Sequence, residues 1–161
     1  MDKLNWIRDL VNSEQQMEEA GIVDFSAGYN PHVELEEETI DFMNSLKTGF
    51  VEAASAFNQL RGSTTGSIKI YGISKTKADF MLFRNGHKLI FSIREPGTIK
   101  VDNNPVPTGL MLNANQQSES ELLQAFWGAF GELRWTYQQQ PINLDYLVRF
   151  YTTRFARESA K

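Results

Sequence analysis

Two apolar runs, Phe80–Phe83 and Leu89–Phe91, stand on either side of Asn85-Gly86, and that pair decides how they meet. Both residues tolerate the positive φ that a two-residue type I′ hairpin turn requires. With the chain reversing there, Arg84 faces His87, Phe83 faces Lys88, Leu82 faces Leu89, Met81 faces Ile90 and Phe80 faces Phe91. One side of the hairpin then carries Phe80, Leu82, Leu89, Phe91 and Ile93, a core surface. The other carries Met81, Phe83 and Ile90 among Asp79, Lys88 and Ser92. It is too apolar for a wholly solvated face and too polar for a sealed one, so it is expected to meet another element, a partner chain or a ligand.

Helical spacing flanks this region. Leu4, Ile7, Leu10 and Val11 predict a short helix over about 3–12. Ile40, Met43, Leu46, Phe50, Ala53, Ala54, Phe57 and Leu60 predict a long one over about 37–61. Its acidic start (Glu36, Glu37, Glu38, Asp41) and its Arg61-Gly62 end suit the helix macrodipole and a left-handed cap. Gly62 to Ser67 therefore reads as a cap and turn rather than a phosphate loop, which would run from strand into helix. Strands are expected at 67–73, 78–84, 88–93 and 98–102, the last near a sheet edge, with a brief fifth at 110–112. Short links force them antiparallel. Ser118 and Glu121 form a capping-box pattern ahead of Leu122, Phe126, Phe130, Leu133 and Tyr137, predicting a helix over about 119–138. Leu144, Leu147, Val148, Tyr151 and Phe155 line a last helix over about 143–158.

The order is that of an α+β fold: an antiparallel sheet of four to five strands, about 67–112, packed against the 37–61 helix and two C-terminal helices. At 161 residues the chain suits one domain, with 1–35 a loosely structured acidic leader.

Charge sharpens that division. Residues 1–45 hold eleven acidic and two basic side chains, whereas 46–100 hold three acidic and nine basic. Absence of cysteine excludes disulfides, thiolate metal sites and cysteine nucleophiles. No apolar run approaches the length of a membrane span and no signal peptide is apparent, so a cytoplasmic protein without membrane contact is expected. His32 and His87 are the only histidines and read as a loop and an exposed turn residue. Asp79 reads as a strand-end residue, no Gly-x-Ser-x-Gly elbow exists, and neither a metal nor a cofactor is called for.

Surfaces are more informative than catalytic motifs. Winding the last helix at 100° per residue sends Tyr146, Arg149, Phe150, Thr153 and Arg157 away from its core stripe. Arginine among aromatics suits protein interfaces and also single-stranded nucleic acid. A protein-interaction module, adaptor or chaperone, is therefore expected, with Met81, Phe83, Ile90, Tyr146, Arg149, Phe150 and Arg157 as contact residues and a homodimer as its state. A nucleic-acid binder is the alternative, using Lys69, Lys75, Lys77, Arg84 and Lys88 on the basic sheet, with Arg94 and Lys100 beside them. A small-molecule site or enzyme pocket between sheet and helices is the third reading. In outline the small acidic chain is similar to secretion chaperones that bind effector segments as dimers; those proteins resume the sheet after their second helix, and no such return is expected here.

Overall fold

The computed structural model describes residues 4–23, 31–104 and 119–160. The chain forms two units, Met1–Leu35 and Glu36–Lys161. In the first, helix α1 (Asn5–Ala20) runs well past the expected end and stops at Gly21, whose left-handed backbone lets its N–H reach Met17 O. Helix α2 (Pro31–Arg61) also starts earlier than expected, with Pro31 at its first position, where a missing N–H costs nothing. It ends at Arg61 as read, and Arg61 Nη1 donates to Gly66 O to close the following turn.

The larger unit is built on an antiparallel meander in sequence order: β1 (Lys69–Gly72), β2 (Phe80–Arg84), β3 (His87–Glu95), β4 (Thr98–Asn104), β5 (Glu119–Trp127), β6 (Leu133–Tyr137) and β7 (Gln140–Pro141). Helix α3 (Leu144–Glu158) follows, with the Asn143 side chain accepting from the Asp145 and Tyr146 N–H groups as its N-cap.

The β2–β3 hairpin has the expected register at every pair from Arg84–His87 to Phe80–Phe91. Asn85 and Gly86 carry the positive φ values, 50° and 82°. Phe80, Leu82, Leu89 and Phe91 are fully buried. Phe91 meets Phe50 of α2 and Phe80 with ring centroids 5.0 Å apart in each case, and Tyr151 of α3 at 5.6 Å. Both helices therefore lie on this one face. Gly49 makes their approach close, since a Cβ there would sit 3.0 Å from Val148 Cγ2. The expected stripe of α2 is buried at Met43, Leu46, Phe50 and Ala54, but Leu60 is exposed where the last turn passes beyond the core.

The expected helix over 119–138, the edge position of β4 and the strand count are overturned. Residues 119–138 are not a helix but the strands β5 and β6. Glu121 is consequently no capping residue. Tertiary pairing overrides a sequence rich in good helix formers, because β5 supplies partners for the whole inner edge of β4, from Thr98–Gln124 to Asn103–Glu119. For the same reason β4 is central rather than near an edge. The sheet has seven strands instead of four or five, and it runs without an interposed helix, so its order departs from the chaperone outline too. The proposed strand at 110–112 lies outside the described residues. No helix among the described residues is long and apolar enough to cross a membrane.

Candidate functional site

With β5 and β6 in the sheet, Phe42 of α2 stacks on Trp135 of β6 (ring centroids 4.4 Å), and α3 stands beside Tyr137 farther along that strand. A cleft of about 350 Å³ opens there, with Leu123 and Tyr137 of the sheet along its floor and Ile142, Tyr146, Leu147 and Phe150 along its wall. Leu123 and Leu147 are buried, while Tyr146 and Phe150 remain 69% and 55% exposed. A second hollow on the outer face of α3 shares Tyr146 and Phe150 and is bordered by Arg149, Thr153 and Arg157.

A polar cluster closes one end. The Glu121 carboxylate accepts from Tyr151 Oη (2.9 Å) and from Arg154 Nη1 (2.7 Å), the latter a close ion pair. The Arg154 guanidinium lies 5.0 Å from the Tyr151 ring centroid and 5.4 Å from that of Phe150, so two aromatic faces and a carboxylate hold it. Its other terminal nitrogen, Nη2, is buried without an acceptor among the described residues.

The electrostatics follow from this arrangement. Burial alone would raise the Glu121 carboxyl, but hydrogen bonds from Arg154 and Tyr151 and the Arg154 charge outweigh it and hold the group below its ordinary value. Burial works against the Arg154 charge as well, and the Glu121 hydrogen bond and charge more than restore it. The phenols of Tyr151 and of Tyr137, which also meets the Glu121 carboxylate, are both pushed up, first by burial and then by the Glu121 hydrogen bond and charge. A carboxylate held ionised and phenols held neutral are poorly matched to proton transfer near neutral pH. The cluster is equipped to bind and orient, and it fixes where Phe150 stands.

The sequence-derived contact residues fall on two separate surfaces. Tyr146, Arg149, Phe150 and Arg157 come together along the outer side of α3, where Tyr146 and Phe150 also border the cleft. Neither Arg149 nor Arg157 is ion-paired among the described residues. Met81, Phe83 and Ile90 are half-buried on the opposite sheet face, where no described helix of this unit packs. The pattern that read 119–138 as a helix concealed Glu121, Leu123 and Tyr137 as site residues. Gly128 and Gly131, three residues apart inside that segment, were the available signal, since each costs about 1 kcal/mol in a helix interior.

The basic set does not form one patch. Lys69 and Lys88 flank Phe83 across the register of the opposite sheet face, and Lys75 is exposed beyond the end of β1. Lys77 pairs with Glu36. Arg84 lies on the helix-covered side, donating to Gly66 O (2.8 Å), Ala156 O (2.9 Å) and Ser159 Oγ (3.4 Å). Burial, and then the Arg61 charge, lowers its pKa. It is a structural residue that satisfies the Ala156 carbonyl in the last turn of α3.

Asp79 borders another cavity, of about 310 Å³, with Lys77 and Arg94. Its carboxylate accepts from Ile93 N (2.9 Å) beside the β3 bulge, a strand-end role as read. His87 is half-buried rather than exposed, with Nδ1 unpartnered among the described residues. The side chain of His32 lies outside them. Among the described residues no group of three His, Asp or Glu could hold a metal ion.

Comparison with known proteins adds no relative: no family model, no curated protein and no solved structure matches this chain.

Proposed function

We propose that this protein is a non-enzymatic interaction module, an adaptor or chaperone, whose cleft beside α3 takes an apolar segment of a protein partner. The observation that carries this reading is the exposure of Tyr146 and Phe150 over a built apolar floor, next to arginines without ion pairs. Tyrosine and arginine around a desolvated pocket are the composition of energetic anchors at protein interfaces. Selection of displayed random peptides on the full chain tests it. Enriched sequences should lose binding to a Tyr146→Ala/Phe150→Ala double variant. No enrichment, or enrichment indifferent to that variant, would reject the cleft as the contact surface.

One observation favours a second reading, single-stranded nucleic acid on the sheet face opposite α2 and α3. Tyr71 and Phe83 lie 6.3 Å apart there, and Lys69 and Lys88 flank Phe83, a stacking and phosphate-binding combination. Oligothymidylate at low salt is the probe. An affinity that falls steeply with salt and is lost in Tyr71→Ala/Phe83→Ala supports it; no anisotropy change removes it.

A further inference from the structure

The tip of the β2–β3 hairpin carries chemistry as well as geometry. Of the asparagines in the chain, Asn85 alone precedes a glycine. Gly86 sets no side chain over its own nitrogen, and its N–H is exposed and donates to no described group. Asparagine before glycine is chemically labile, because the nitrogen that follows can attack its side-chain carbonyl. One contact opposes that attack. Asn85 Nδ2 donates to Ser159 O (2.8 Å) at the end of α3, and Ser159 is fully buried. Arg84 fastens the same turn of α3 through Ala156 O and Ser159 Oγ.

From this coincidence of a reactive pair and a structural tie, we infer that Asn85 is a self-modification site whose reaction is restrained by the end of α3 and whose product releases that end. Gly86 N gives its proton to hydroxide and bonds to Asn85 Cγ. The Cγ–Nδ2 bond breaks, and ammonia leaves with a proton taken from water, giving a cyclic imide. Water then opens the ring. Cleavage between Cγ and the Gly86 nitrogen leaves aspartate; cleavage between the main-chain carbonyl carbon of residue 85 and that nitrogen leaves isoaspartate, with the chain rerouted through Cβ and Cγ. The nitrogen expelled is the one that holds Ser159 O, so either product loses the tie. Isoaspartate also adds a backbone atom to a turn of two residues, and the Arg84–His87 closure cannot keep its register. The last turn of α3 is then loosened at both fastenings, next to Arg157 of the outer hollow.

Peptide mapping by mass spectrometry during incubation of the full chain in mildly alkaline buffer tests the inference, with isoaspartate separated from aspartate by chromatography. Conversion at Asn85 should be slower in the folded chain than in urea. Arg84→Met, which loosens the end of α3, should speed the folded reaction about fivefold, the rate equivalent of one ordinary hydrogen bond. In urea both chains should react alike, so that the difference belongs to the fold. The isolated products, and Asn85→Asp as a stable counterpart of one of them, should show faster amide exchange over residues 155–159 than the parent, with the isoaspartate form the fastest. A folded rate equal to that in urea overturns the inference. So does a folded rate indifferent to Arg84→Met, or a product whose α3 end exchanges as slowly as the parent's.

Discussion

The β2–β3 and β5–β6 hairpins are the same supersecondary unit put to opposite uses. The first turns on Asn85 and Gly86, two residues suited to positive φ, and its tip is tied down: Asn85 Nδ2 donates to Ser159 O (2.8 Å) and Arg84 to Ala156 O. Its inner face is the centre of the core. The second turns through a short 3-10 segment, Ala129–Gly131, that forces Phe130 into a left-handed conformation, and its side chain stands in solvent. Its inner face adds Leu123 to the core but also carries Glu121 into a polar cluster beside it. A hairpin whose local chemistry and packing agree is structural; one that retains strain and exposed aromatics is available for contact.

The largest test of that contrast compares Phe91 with Phe126. Phe91→Ala empties the site where both helices meet the sheet and should cost about 3–5 kcal/mol, whereas Phe126→Ala, half-exposed on β5, should cost less than about 1 kcal/mol; chemical denaturation measures both. Next is Arg84→Met, which keeps the stem but leaves the Ala156 carbonyl without its Arg84 donor and Gly66 O with Arg61 alone. We expect a loss of about 1–3 kcal/mol, with faster amide exchange in the last turn of α3. The matching change on β6, Arg134→Met, should stay within about 0.5 kcal/mol.

Glu121 supplies a pH test that the first hairpin lacks. Its folded pKa lies below the ordinary value of 4.5, so its contribution is fully present above that pH and is lost as pH falls through the folded value. Acid unfolding of Glu121→Gln should show a shallower slope in that range, together with lower stability at neutral pH because Arg154 loses its counter-charge. An unchanged slope would mean the ion pair adds nothing. The smallest effects lie at the two turns. Gly86→Ala should destabilise by about 1 kcal/mol, since φ 82° penalises a Cβ, while Phe130→Asn should stabilise by a few tenths to about 1 kcal/mol by relieving the strain.

Legibility of the fold followed the agreement of local signals. Around Asn85-Gly86 the turn residues, the alternation and the apolar runs all favour one register. Between Ser118 and Tyr137, Leu122, Phe126, Phe130 and Leu133 mimic a helical stripe, and Glu121 at an inward position breaks the alternation that would have marked a strand. The residue that spoiled the pattern is the one that binds Arg154. Half of the cleft was legible, because α3 has one face of Leu147, Val148, Tyr151 and Phe155 and another of Tyr146, Arg149 and Phe150. The sheet half was not.

From the chain alone came the α+β class, the cap of α2, the central hairpin and the two faces of α3, because each depends on contacts between residues near in sequence. Only the tertiary structure decided that 119–137 pairs as strands, that Arg84 belongs to the end of α3, and that Glu121 and Leu123 stand beside Tyr146 and Phe150. Those outcomes depend on which segments meet across long separations, where an edge of unpaired backbone on β4 outweighs the helical preference of the segment that covers it.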